Sequence, residues 1–320
     1  MKILITGGAG FIGSHLTKKL LENGHFVIVV DNLLTGDIEN IKAFFDKKNF
    51  LFIKADVTFP LKKIFKVDAI FHLASPASPN EKSPLSYHNL SLETMLVNTL
   101  GTLEVLKLSK KFGAKFLFAS SSEVYGNPLI HPQKEDYFGN VNPIGQRAVY
   151  DEAKRFGETL TSYFVRKKNL DGRIARIFNT YGPNMRVDDK RMVVNFITQA
   201  LNNQPITIFG DGTQTRSLCY VEDLVDGLIK LMFEKNTKGE VVNLGNPEEH
   251  TVLEYAKIIK KLTGSKSKIV FEKPLPQDDP KKRKPDIKKA KKLLGWQPKT
   301  SLEEGLKKTI NYFKFKLKII

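Results

Sequence analysis

One cysteine, Cys219, is all that a 320-residue chain carries, which excludes an internal disulfide and fits a reducing compartment. The six histidines, His15, His25, His72, His88, His131 and His250, lack the spaced pairs or cysteines that a zinc site needs, so no metal is expected. No apolar run approaches the ~20 residues of a membrane span. Met1 leads straight into a strand pattern, which leaves no room for a signal peptide. A cytoplasmic protein with no membrane partner is expected. Neither an internal repeat nor a low-complexity linker interrupts the chain.

Acidic residues are also in short supply: 34 stand against 51 Lys and Arg, for a formal net charge of +17. Such an excess can mark nucleic acid or an anionic membrane surface as partner. Here the lysines are scattered, dense only at Lys281-Lys282-Arg283-Lys284 and within residues 288–292 and 314–318, and no basic stripe interleaves with aromatics. Solvated surface is the better account, and no nucleic-acid partner is expected. The field still attracts a nucleotide diphosphate.

What is present begins with an apolar run, Lys2-Ile3-Leu4-Ile5-Thr6, ended by Gly7-Gly8-Ala9-Gly10-Phe11-Ile12-Gly13 and followed by a helical pattern over residues 16–21. Residues without side chains let the backbone approach a pyrophosphate, and the helix start supplies N–H donors and positive dipole. A second strand, 26–30, ends in Asp31, 18 positions after Gly13. An acid there accepts bonds from the adenosine ribose hydroxyls and repels a 2′-phosphate, which favours NAD over NADP; the alternative is a turn residue.

Further strands are expected at 50–54, 68–72, 115–119 and 173–178, with helices at 90–111 and 149–166. Strands separated by helices argue for an α/β fold, a Rossmann-type doubly wound parallel sheet. After Asn179 the alternation breaks, which suggests a smaller, partly discontinuous substrate lobe. The division expected is a dinucleotide-binding part over 1–178 with a return segment near 220–245, a substrate lobe over 179–219 and 246–312, and a basic tail over 313–320. The dinucleotide contacts expected are Gly7, Gly10, Phe11, Ile12 and Gly13 from the loop, then Asp31 and Asn32. Asp56, Val57, Leu73, Ala74 and Ser75 follow at later strand ends, Asp56 facing the adenine amino group.

Tyr150 and Lys154 lie four apart, on one face of a helix. A lysine ammonium and a nicotinamide cation nearby favour phenolate, making Tyr150 a base for an alcohol near neutral pH. Alone, the pair is equally a surface i,i+4 contact; coupled to the glycine loop it reads as catalytic. Ser121 and Glu123 follow the 115–119 strand, at the end where ligands bind in open sheets, although a serine-rich turn with one exposed acid has the same pattern.

The glycine run, Tyr150 to Lys154 and Arg176-Ile177-Phe178-Asn179-Thr180-Tyr181-Gly182-Pro183 resemble the extended short-chain dehydrogenase/reductase family, which modifies nucleotide sugars with tightly held NAD. His72-Leu73-Ala74-Ser75-Pro76, Gly210-Asp211-Gly212-Thr213-Gln214-Thr215-Arg216, Arg283-Lys284-Pro285-Asp286 and Leu294-Gly295-Trp296 resemble its UDP-glucuronate decarboxylase branch, over nearly the whole chain. The resemblance implies oxidation of UDP-glucuronate at C4 with Tyr150 as base and NAD as cofactor, loss of carbon dioxide from the 4-keto acid, and re-reduction. It implies Ser121 and Glu123 at the C5 end, Arg283 at the substrate carboxylate, Arg216 on the diphosphate, and Tyr87, Asn179 and Arg191 on the UDP-sugar. It also implies a homodimer built as a four-helix bundle from residues 90–111 and 149–166. From the residues alone Arg283 is one charge in a solvated lysine run. Ser122 replaces the aspartate of the related 4,6-dehydratases. Two departures fall at the sugar pocket: a longer stretch over 80–89, and Leu96 where relatives carry a substrate-contacting lysine. A 4-epimerase on the same scaffold and a non-catalytic NAD-binding regulator are the other readings.

Overall fold

Parallel strands buried on both faces need continuous apolar runs. In the computed structural model, which describes residues 1–62, 64–272 and 279–319, the chain supplies them as β1 (Lys2–Thr6), β2 (Phe26–Asp31), β3 (Phe50–Lys54), β4 (Ala69–His72), β5 (Lys115–Ser121) and β6 (Gly172–Ile177). Between them run α1 (Phe11–Glu22), α2 (Ser91–Leu96), α3 (Thr102–Phe112) and α4 (Ala148–Lys168). Beyond them come β7 (Thr180–Tyr181), α5 (Met192–Leu201), β8 (Ile206–Phe209), β9 (Thr215–Ser217), β10 (Cys219–Tyr220) and α6 (Val221–Phe233). Next are β11 (Val241–Leu244), β12 (Glu249–Thr251), α7 (Val252–Thr263), β13 (Ile269–Glu272), α8 (Lys288–Leu294) and α9 (Leu302–Lys316).

Among the described residues, seven strands form one parallel sheet in the order β11-β6-β5-β4-β1-β2-β3. The doubly wound parallel architecture expected from the alternation is the one observed. Residues alternate along each strand, so Ile3, Ile5, Val27 and Val29 enter one core while Leu4, Ile28, Val30 and Phe116 enter another. The first core continues without a break through α5, α6 and α7 to Trp296 and Phe313. The smaller pairs β7–β10, β9–β12 and β8–β13 lie beyond Asn179, where the simple alternation ends. Helix α9 runs through Lys316 and buries Phe313 completely, so it takes in the start of the segment expected as a separate basic tail.

The order of the sheet reverses between β1 and β4, the kind of switch point at which strand ends leave a crevice for a ligand. Thr6 pairs with Val30 on one side and His72 on the other, which brings the glycine loop, Asp31 and residues 73–75 to one edge. Gly7 sits there with φ +73°, and a Cβ on it would lie 2.7 Å from the Ala74 backbone nitrogen. Only glycine permits that approach.

One expected helix differs. Residues 90–111 do not form a single α-helix: α2 and α3 are joined by a π-helical turn, Val97–Gly101. Within it Asn98 is buried and its amide donates to Ser75 Oγ at 2.9 Å and to the Thr94 carbonyl at 2.8 Å. The widened turn accommodates that reach toward the cavity, in keeping with the placement of π turns near functional sites.

Candidate active site

Every candidate residue named from the sequence lines one cavity of about 730 Å³ at the carboxyl ends of the strands. Its two ends differ in chemistry.

At one end, Gly7, Gly10, Phe11, Ile12 and Gly13 form the wall, and the first amides of α1 have no partner within the helix. A side chain on Gly13 would overlap the Gly7 carbonyl oxygen. Asp31, at the end of β2, accepts from the Ala9 amide at 3.0 Å and the Leu33 amide at 2.9 Å. Burial raises its carboxyl above the ordinary value, and those two amides hold it back. The acid therefore buttresses the glycine loop, and each of its oxygens keeps acceptor capacity for a ribose hydroxyl. Asp56 accepts from Asn32 Nδ2 at 3.2 Å and from the Thr58 amide at 2.8 Å, fixing the edge where Val57 also lines the wall. Leu73, Ala74 and Ser75 close the opposite side. Free helix-start amides, side-chain-free backbone and an acid at the second strand end fit a dinucleotide.

Helix α4 carries Tyr150 and Lys154 into the middle of the cavity. Lys154 Nζ donates to the Ala119 carbonyl at 2.8 Å, pinning the helix to the end of β5, and lies 5.6 Å from the Tyr150 ring centre. Burial brings the Lys154 ammonium down to about 7. Burial also raises the Tyr150 phenol well above its ordinary value, against a hydrogen bond from Ser121 that lowers it. Desolvation is the largest influence on the Tyr150 phenol, so phenolate calls on the nicotinamide cation expected beside Lys154 as well as on the lysine. The Tyr87 ring stacks on Tyr150 at 4.8 Å and 13°, and its buried hydroxyl has no partner among the described residues.

The other end is ionic. Ser121 accepts from the Glu123 amide at 3.2 Å, which turns the Glu123 side chain into a nest of guanidinium groups. Arg147 Nη2 meets Glu123 Oε2 at 2.6 Å, and Arg283 Nη1 pairs with Glu123 Oε1. Burial works against the Glu123 carboxylate, but Arg147 and Arg283 overcome it and hold the group well below the usual carboxylate range. Arg283 is 2% exposed and also donates to Gly126 O at 2.9 Å and Ser122 Oγ at 3.3 Å. It is therefore no part of a solvated run, although Lys281 and Lys282 beside it are exposed. Arg216 Nη2 pairs with Asp279 at 2.8 Å, and Arg191 forks onto Asp189 at 2.7 and 2.6 Å. Asn179 lies on the same wall.

The longer stretch over 80–89 packs against the segment bearing Arg191. Ser78, Asn80 and Ser83 donate to the carbonyls of Asp189, Lys190 and Asp188 at 2.8, 2.6 and 2.6 Å. Leu96 contributes an apolar patch to the cavity.

The description NAD dependent epimerase/dehydratase family matches residues 3–245. The chain belongs to that family. Within it, the chain is 53% identical over 312 residues to UDP-glucuronic acid decarboxylase 1 of Danio rerio, covering 98% of this chain and 72% of that protein. A UDP-glucose 4-epimerase from Thermotoga maritima, solved with UDP-glucose, shares the fold with a TM-score of 0.88 and 35% identity, covering 99% of this chain and all of that one. A UDP-glucuronic acid 4-epimerase from Bacillus cereus, solved with UDP-glucuronic acid and NAD, superposes with a TM-score of 0.85 and 32% identity over 99% of this chain and 100% of the other.

Two residues of the ionic end escaped the sequence reading. Arg147 stands three positions before Tyr150, so the same helical face read backwards would have found it. Asp279, which links Arg147 and Arg216, carries no sequence signal: a lone acid near a lysine run acquires its role through the tertiary fold. Among the described residues no cluster of three or more His, Cys, Asp or Glu is placed to hold a metal, and no helix is long and apolar enough to cross a membrane.

Proposed function

We propose that the chain converts UDP-glucuronate to UDP-xylose and carbon dioxide, with NAD held along the glycine loop, Asp31 and residues 73–75. The observation that carries the reading is Glu123 gripped by Arg147 and Arg283 beside Tyr150, in a chain half identical to proteins named UDP-glucuronic acid decarboxylase. The glycine loop, Asp31 and residues 73–75 would hold NAD, which when bound would supply a reversible two-electron acceptor at C4, so the cycle would consume no external oxidant.

Tyr150 takes the proton of the C4 hydroxyl, and Ser121 shares a hydrogen bond with its phenol. A ketone at C4 places the sugar carboxylate beta to a carbonyl. The C5–carboxylate bond then breaks, carbon dioxide leaves, and the electron pair passes onto the C4 oxygen, which the Tyr150 hydroxyl stabilises. C5 takes up one proton before C4 is reduced. Arg283 lies at the end of the cavity that receives the carboxylate, Arg216 and Arg191 line the region for the diphosphate and uridine, and Tyr87 covers the Tyr150 ring.

Both similar solved structures are 4-epimerases, which keeps epimerisation as the second reading. Incubating the protein with UDP-glucuronate and following products by NMR separates them: UDP-xylose with carbon dioxide release supports the proposal, whereas a UDP-uronate epimer without carbon dioxide overturns it.

A homodimer and a cytoplasmic location belong to the same reading. Helices α2 and α4 pack side by side and, with the π turn after α2, leave Leu92, Leu100, Phe156 and Tyr163 exposed, apolar surface that a second copy would cover as a four-helix bundle. A monomeric mass in light scattering at micromolar concentration would sink the dimer.

A further inference from the structure

We propose that Arg147 is a second carboxylate-recognition residue, which with Arg283 selects a nucleotide sugar bearing a carboxylate over a neutral one. The inference rests on the function proposed above and names a specificity determinant within it. Three observations support it.

The first is placement. Arg147 is the residue that caps the amino terminus of α4, three positions before Tyr150, whose amide donates to the Arg147 carbonyl at 3.0 Å. Its contact with Glu123 at 2.6 Å holds the guanidinium in the cavity. It is 5% exposed, lines the cavity, and lies 5.8 Å from the centre of the Tyr87 ring that covers Tyr150.

The second is how the two arginines are occupied. Arg283 commits both terminal nitrogens, to Glu123, Ser122 and Gly126. Arg147 has one short contact, to Glu123 at 2.6 Å, and one long one, to Asp279 at 3.5 Å. Asp279 is itself better bound to Arg216, at 2.8 Å. A planar guanidinium offers five N–H donors in a fork that matches a carboxylate. Among the terminal nitrogens, the donor most easily transferred to an incoming carboxylate is therefore the Arg147 one that faces Asp279; Arg283 Nε, buried with no partner among the described residues, is the other open donor of the pair.

The third is charge. Arg147, Arg216 and Arg283 stand against the carboxylates of Glu123 and Asp279. The remaining neighbouring acid, Asp151, is pushed up to about 8 by burial and then by Glu123, so it is mostly protonated near neutral pH. Among the described residues one positive charge of this group is left uncompensated, and an uncompensated buried charge is costly. A sugar carboxylate balances it; a neutral sugar at the same position does not.

UDP-glucuronate and UDP-xylose differ by the carboxylate, so the ratio of their dissociation constants isolates it. The ratio is measured by calorimetry on NAD-loaded protein carrying Tyr150→Phe, which slows turnover ~10²–10⁴-fold. Adding Arg147→Gln is expected to weaken UDP-glucuronate on the order of 10- to 100-fold, the loss of one charge-assisted contact, with UDP-xylose little changed. Arg147→Lys, which keeps the charge and loses the fork, should fall between. If Arg147→Gln fails to fold, the Lys variant carries the test alone. Equal weakening of both ligands, or an unchanged ratio in the folded variants, overturns the proposal. Because the ratio is read from binding, it stands or falls separately from carbon dioxide release by the unmodified protein.

Discussion

At the cofactor end of the cavity the chain presents glycine backbone, apolar side chains and one acid from residues 7, 10–13, 31–32 and 73–75, whereas the sugar end presents guanidinium and carboxylate groups of residues 123, 147, 216, 279 and 283. The first end is assembled by the sheet itself. Neighbouring strand ends deliver it, and its one acid, Asp31, leans on local amides. The second is assembled from distant parts of the chain: Arg283 and Ser122 are 161 positions apart, Arg216 and Asp279 63. Backbone donors cost little when left to water, but buried ions demand complete pairing. The comparison teaches that substitutions at the two ends should fail in different ways, one in cofactor preference and the other in stability and turnover together.

The largest effect is expected at the border between the ends. Tyr150→Phe removes the base for C4 oxidation, so carbon dioxide release should fall ~10²–10⁴-fold. Thermal melts and NAD binding should change little, since the Tyr150 ring and its stacking with Tyr87 survive. Activity within threefold of the unmodified protein, roughly 0.6 kcal/mol on the barrier, would remove Tyr150 from the chemistry.

Next comes Glu123→Gln, which leaves Arg147 and Arg283 buried around a neutral amide. Breaking a buried pair from one side costs about 3–5 kcal/mol, read as a lowered midpoint in urea, and turnover should fall with it. A variant as stable as the unmodified protein would erase the contrast between the two ends.

Asp31→Ala tests the other end. It removes the acceptor for the Ala9 and Leu33 amides and the repulsion of a 2′-phosphate. Each lost hydrogen bond to a charged group is worth about 1.5–3 kcal/mol. NAD affinity should drop and the preference over NADP narrow, measured by fluorescence titration of both. Equal binding of NAD and NADP by the unmodified protein would show that Asp31 does not read the ribose.

The last effect is a slope. Asp151 has a folded pKa of about 8 against an ordinary 3.8, so the folded chain holds an extra proton between those values. Stability contributed by that proton is fully present below the ordinary value and declines as pH rises toward about 8. Asp151→Asn, which cannot titrate, should lose less stability than the unmodified protein between pH 5 and 8 in paired melts. Parallel curves would place the Asp151 carboxyl in the ordinary range.

The sequence by itself determined the sheet and the cofactor end. Apolar runs ending in glycine or an acid recur at β1 and β2, and apolar strands alternating with helices point to a parallel sheet covered by helices on both faces. Tyr150 and Lys154 were legible because a helix puts residues four apart on one face. The family's motifs also drew Glu123 and Arg283 to one place. What only the tertiary structure decided is the ionic end: that Arg283 is buried while Lys282 beside it is exposed, that Arg147 grips Glu123, and that Asp279 ties Arg147 to Arg216. The same holds for the π turn that brings Asn98 to Ser75 and for the rise of the Tyr150 phenol. Charge pairing and desolvation depend on which distant segments meet and how much water they exclude, and neither is written in local spacing.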